Sequence, residues 1–191
     1  MRLFVAVEIA PTVAAGAAAL IEELRRRAER LAPHARITWI SEERLHVTVR
    51  FIGNVDEAKA EAIGAALQPP VDAVPFDLVL AGAGTFPRTG APRVIWSGVV
   101  DGAGPLAAVE RDITDRLKQK GVAAEPRDYR PHLTLARIRD AGGLKSSSLC
   151  RGLQDQMLGT THVEAITLFE SRLSPKGSTY VPLRKTLLRR V

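Results

Sequence analysis

The chain has 191 residues, near the size of one ordinary domain and long enough to bury a real core. Apolar residues make up 46% and charged residues 25%, and the formal net charge is +6, a balance that fits a soluble globular fold with an acidic polymer as partner. The single cysteine, Cys150, excludes an intramolecular disulfide, and no run of 18 apolar residues exists to span a membrane, so a reducing, cytoplasmic setting is expected.

In chain order, Leu3 to Ile9 is an apolar run before Pro11 and predicts a buried strand. A helix follows from Thr12 to Leu31, with Val13, Ala17, Leu20, Leu24, Ala28 and Leu31 as its apolar stripe. Glu22 and Glu23 stand four residues before Arg26 and Arg27, the favourable order for helix ion pairs. Ile37 to Ile40 is a short strand, and a turn leads into a second strand from His46 to Ile52. Asp56 is suited to cap a helix that ends near Leu67, before Pro69 and Pro70. Phe76 to Ala81 predicts a strand, and Gly82 to Pro92, with its glycines and prolines, a loop. Val94 to Val100 is a strand, Pro105 opens a helix closed by Gly121, and Glu125 to Pro131 is a charged loop. A strand from His132 to Ile138 follows, then a helix near Lys145 to Leu158 and strands near His162 to Phe169 and Tyr180 to Leu187.

The two halves repeat. Leu3 answers Val94 at an offset of 94 − 3 = 91, the histidines at 132 − 46 = 86, and the helices opening at Asp56 and Lys145 at 145 − 56 = 89. This predicts a duplicated α+β unit whose halves pack about a pseudo-two-fold axis, within one domain spanning residues 1–191.

The repeat is sharpest at His46-Val47-Thr48-Val49 and His132-Leu133-Thr134-Leu135. Alternate side chains of a strand share a face, so each copy buries two apolar residues and presents one imidazole and one hydroxyl opposite them. In a helix the same pair lies roughly 200° apart and is split. Two imidazoles titrating near neutrality can act as base and acid at one phosphate, with Thr48 and Thr134 donating to its oxygens and no metal or cofactor required. Parity places Arg50 on the face of His46, and Arg130 on that of His132 if the strand extends back through Pro131; both suit phosphate. Arg137 has the opposite parity and reads as a surface or packing charge. His34 and His162 lack the pattern, Cys150 is expected in the core, and no other thiol or carboxylate has the spacing for a zinc site with the two histidines. With aromatics at 5%, few stacking platforms for bases are expected.

These residues resemble the two-histidine (2H) phosphoesterase superfamily, and more closely the bacterial and archaeal RNA 2′,3′-cyclic phosphodiesterases, historically called 2′-5′ RNA ligases. The likeness runs from Arg2-Leu3-Phe4 through Leu45 to Gly53, Phe86-Pro87, Pro92 to Trp96, Tyr129 to Arg137, Leu168 to Leu173 and Tyr180 to Leu183. It implies a bilobal α+β fold, two antiparallel sheets with flanking helices around a central cleft. It implies hydrolysis of terminal RNA 2′,3′-cyclic phosphates to 2′-phosphates, with His46 as proton donor to the leaving 3′ oxygen and His132 as the base for water. RNA is then the partner, no membrane or obligate protein partner is called for, and a monomer is expected. Ligation of 2′-5′ bonds, action on small cyclic nucleotides and RNA binding without catalysis are the alternatives. Arg44 stands where members of the family often carry Asn.

Overall fold

The computed structural model describes residues 1–174 and 177–189. The chain runs β1 (Arg2–Glu8), α1 (Pro11–Leu31), β2 (Arg36–Trp39), β3 (His46–Asn54), α2 (Glu57–Ala66), β4 (Phe76–Phe86), β5 (Val94–Asp101), α3 (Ala103–Lys118), β6 (His132–Asp140), α4 (Ser146–Leu149), β7 (Met157–Val163), β8 (Ala165–Ser174) and β9 (Gly177–Leu187). Among the described residues no helix is long and apolar enough to cross a membrane.

Among the described residues nine strands form one antiparallel sheet in the order β7-β4-β5-β6-β3-β1-β8-β9, with β2 added beside β6. The two separate sheets expected from the sequence are therefore the halves of a single one. They meet at a seam where β3 and β6 pair only at Val47 and Leu133. In that order four strands lie on either side of the seam, although the sequence units are not kept intact. The last strand of each sequence unit, β4 and β7, pair with each other in one half, while the β8–β9 hairpin completes the other.

The helices cover one face of this sheet. Val13, Ala17, Leu20, Leu24 and Ala28 of α1 are buried as the stripe requires, whereas Leu31, at the helix end, is 43% exposed. Arg27 pairs with Glu23 at 2.7 Å and donates to the carbonyls of Leu149 and Arg151, fixing α1 to α4. Glu22 pairs with Arg25 instead of Arg26, which shares Glu23. Asp56 caps α2 by accepting from the Lys59 amide at 2.8 Å. In α3, Leu106, Val109, Ile113 and Leu117 are fully buried. Each fully buried large aliphatic side chain contributes about 1.5–3 kcal/mol, which accounts for helices that propensity alone would not hold.

Two stretches differ from the sequence reading. β4 continues to Phe86 through what reads as a loop, because Gly82, at φ +73°, turns tightly against the 150s segment. A Cβ at Gly82 would lie 2.2 Å from the Gln154 carbonyl oxygen. Amides of Gly82 and Ala83 donate to the carbonyls of Gln156 and Leu153, so that segment is drawn out of helix by pairing with β4. Only Ser146–Leu149 remain helical, and Met157, expected inside the helix, is 60% exposed in β7. Cys150 is buried where α4 ends, and burial pushes its thiol up to about 11.

Candidate active site

The seam builds the site. Val47 and Leu133 are fully buried beneath the sheet, so their neighbours point to the opposite, open face. Antiparallel pairing at Val47 and Leu133, carried one residue each way, sets His46 across from Thr134 and Thr48 across from His132. Four of the residues expected at the site, two imidazoles and two hydroxyls, thus alternate around one point of near two-fold symmetry. The rings are close enough that charge on His132 disfavours charge on His46.

Both rings are held in the same way. Nδ1 of His46 meets the Arg44 carbonyl at 2.8 Å, and Nδ1 of His132 meets the Arg130 carbonyl at 2.8 Å. A carbonyl only accepts, so Nδ1 carries the hydrogen in each ring and Nε2 is the nitrogen free for chemistry. Aromatic rings wall the imidazoles. Phe4 lies 5.0 Å from His46 and Tyr180 meets it edge-on at 5.2 Å, while Phe86 meets His132 edge-on at 5.2 Å. Phe86 in turn rests on Trp96 at 5.1 Å, and a Cβ on Gly84 would strike that indole at 2.4 Å.

Burial holds both histidines below the ordinary imidazole value of 6.5, and the carbonyl hydrogen bonds oppose this without reversing it. The positive charge of Arg137 depresses both further, and His132 adds to the effect on His46.

Arg137 is the residue that the sequence reading misplaced. On β5, Trp96 pairs with Thr134 but Ile95 pairs with Ala136, so β6 carries an extra residue, a β-bulge, just after its Thr. Parity reverses there, and Arg137 falls on the face of His132 and Thr134. The same device operates in β3, where Ala6 pairs with Thr48 but Val5 pairs with Arg50. That bulge turns Arg50 into the core, correcting its expected place beside His46. Arg50 is 3% exposed, donates to the Ala123 carbonyl and stands 4.0 Å from Glu125. Phe51 takes the open-face position instead and is 48% exposed beside Phe4. Arg130 lies before β6 begins, in a loop, with its carbonyl on His132 and its guanidinium exposed.

The halves are also tied by Tyr129, whose hydroxyl donates to the Thr48 carbonyl at 2.9 Å across the seam. The aromatics are concentrated beyond what composition suggests. Phe4, Phe51, Phe86 and Phe169, four of the chain's 5 phenylalanines, occupy the open face with Trp96 and Tyr180. Among the described residues no three His, Cys, Asp or Glu side chains converge as a metal site.

A family model, 2′-5′ RNA ligase superfamily, matches residues 11–173. The chain belongs to that superfamily. Among its relatives in the superfamily is the RNA 2′,3′-cyclic phosphodiesterase of Aeropyrum pernix, 38% identical over 149 residues, or 78% of this chain and 82% of that one. The protein of the same name from Archaeoglobus fulgidus is 30% identical over 184 residues, 96% and 98% of the two chains. A crystal structure of a Thermus thermophilus protein superposes with a TM-score of 0.75 at 26% identity, covering 99% of this chain and 98% of that one. Escherichia coli LigT complexed with 3′-AMP shares the fold with a TM-score of 0.73 at 23% identity, over 99% and 98% of the chains.

Proposed function

We propose that this superfamily member hydrolyses terminal RNA 2′,3′-cyclic phosphates to 2′-phosphates by two-histidine acid–base catalysis. The observation that carries the reading is the pairing of Val47 with Leu133 at the seam, whose register, extended by one residue, supports an alternation of His46, Thr134, His132 and Thr48 on one open face. The names of the archaeal relatives agree with it.

Water attacks phosphorus, and its proton passes to Nε2 of neutral His132. The bond from phosphorus to O3′ breaks, and O3′ takes the proton of Nε2 on protonated His46. The product is a 2′-phosphate and a free 3′-hydroxyl, and proton exchange with water resets the rings. Negative charge growing on the non-bridging oxygens is met by the Thr48 and Thr134 hydroxyls and by the Arg137 guanidinium. Arg130, beside the same opening, supplies a further positive charge. The Phe51 ring offers a stacking surface to the terminal base.

Bringing phosphate to the rings favours a proton on one of them, which offsets the depression that burial and Arg137 impose in the free protein. The test is turnover of an oligoribonucleotide ending in a 2′,3′-cyclic phosphate, in EDTA. His46→Ala and His132→Ala are each expected to lose about 10²- to 10⁴-fold in kcat. Full activity in both variants overturns the assignment.

A further inference from the structure

Beyond its bulge β6 carries a second cation on the open face. Ala136 and Ile138 are buried, so Arg137 and Arg139 alternate outward with His132 and Thr134. Past the seam the neighbour of β6 is no longer β3 but β2, in the register Trp39 to Ala136, Thr38 to Arg137, Ile37 to Ile138 and, across an irregularity at Arg139, Arg36 to Asp140. The Asp140 carboxylate accepts from the Gly142 amide, and three arginines against one carboxylate leave the stripe net positive. Ile37 and Trp39 pack on the core, which leaves Arg36 and Thr38 on the open face. Arg36, Thr38, Arg137 and Arg139 are all exposed. Among the described residues none of the three arginines enters an ion pair or a side-chain hydrogen bond.

The surface on the β1 side of His46 differs in charge. The groove beside His46 carries Glu8, Glu42 and Glu43 against the single cation Arg44. Hydrogen bonding from Ser41 holds the Glu43 carboxyl below its ordinary value, so it is charged at neutral pH. A polyanion anchored at the seam meets a net negative surface on that side and a net positive one along β6 and β2.

We propose that the stripe Arg137, Arg139 and Arg36 is the track for the single-stranded RNA leading up to the terminal phosphate. On such a track an oligoribonucleotide end gains contacts that a free cyclic mononucleotide cannot make. This rests on the reading of the histidine pair given above. At roughly 3.3 Å per residue, and with the bulge taking up one residue, Arg139 lies on the order of 13 Å along the strand from Thr134. A mononucleotide whose one phosphate is held between the histidines has no phosphate left to bring there. An oligonucleotide has one for each preceding residue.

The experiment uses the Arg36→Ala/Arg139→Ala double variant, which leaves the histidines, threonines and Arg137 in place. Binding of a fluorescent single-stranded oligoribonucleotide ending in 2′-phosphate is measured across a salt series. Turnover is measured on an oligonucleotide 2′,3′-cyclic phosphate and on a mononucleoside 2′,3′-cyclic phosphate. Loss of two phosphate contacts reduces the slope of log affinity against log salt by about 1.4 and weakens binding about 25-fold at 0.1 M salt. Turnover of the mononucleotide is expected to stay unchanged. Thr38→Lys, which adds a cation to the stripe, is expected to tighten oligonucleotide binding about fivefold. Unchanged oligonucleotide affinity and slope in the double variant overturn the proposal, as does an equal loss on both substrates. Because binding is read without chemistry, a wild-type protein that binds along the stripe yet hydrolyses neither substrate refutes the catalytic reading and leaves the track standing.

Discussion

His46 and His132 sit at matching places in matching strands, yet the surfaces that extend from them differ in kind. Five residues after His46 (51 − 46 = 5) the open face carries Phe51, backed by Phe4 and Phe169; five after His132 (137 − 132 = 5) it carries Arg137, followed by Arg139. Both positions are delivered by a bulge one residue past the motif threonine. One backbone device has been used twice to bring one side chain to the open face, an aromatic in one half and a cation in the other. The aromatic half offers a flat apolar surface suited to a base, and the basic half a fork suited to phosphate.

The largest way to break this contrast is Arg137→Ala. It removes a fixed donor from the developing charge and is expected to lower kcat by about 10²- to 10³-fold in steady-state assays. It also lifts a repulsion from both imidazoles, so their titration moves up. In wild type both rings lie below 6.5, so the bell of kcat/KM, which needs one ring charged and one neutral, is centred below that pH. In Arg137→Ala the bell shifts to higher pH, and a profile that stays in place contradicts the geometry. Stability follows the same sign. Because folding depresses both values, the folded chain binds fewer protons than the unfolded one as pH falls. The stabilising contribution is complete above 6.5 and is lost as pH drops through the folded values. Thermal melts across that window are expected to flatten when both histidines are replaced by glutamine.

On the aromatic side, Phe51→Ala removes a surface worth about 1–3 kcal/mol per stacked base. Its effect is expected in KM for oligonucleotides, with kcat largely kept; a kcat loss as deep as that of Arg137→Ala would erase the distinction between the halves. Arg50→Met tests the other consequence of the β3 bulge. It deletes a buried charge-assisted hydrogen bond to the Ala123 carbonyl, at about 1.5–3 kcal/mol, or a Tm lower by roughly 3–12 °C, with kcat/KM unaltered. Tyr129→Phe is the mildest change, about 1 kcal/mol by chemical denaturation, from the lost bond to the Thr48 carbonyl.

What the amino-acid sequence made legible follows from periodicity. The α1 stripe up to Ala28, the Asp56 cap and the His-Thr alternation are local patterns, and each was realised; only Leu31, at the helix end, left the stripe. Arg50 and Arg137 exchanged places because a bulge reverses parity and leaves no signature in Val49-Arg50 or Leu135-Ala136. In β3 the Arg50–Phe51 order offered one clue, since an unbroken alternation would have put Phe51 in the core and a free arginine on the open face. The 150s lost their helix to pairing with β4, a contact between residues some seventy apart that no local window contains. The pooling of phenylalanines at one face was hidden for a related reason, since composition counts residues without placing them.

Both imidazoles take their orientation from a peptide oxygen two residues upstream, supplied by Arg44 and Arg130. The lock on ring geometry is thus independent of which side chains those positions bear. Position 130, whose side chain is exposed, can therefore vary while Nε2 of His132 keeps its aim, whereas at position 44 the guanidinium is also committed, donating to Ser41 and to the Ser178 carbonyl of β9.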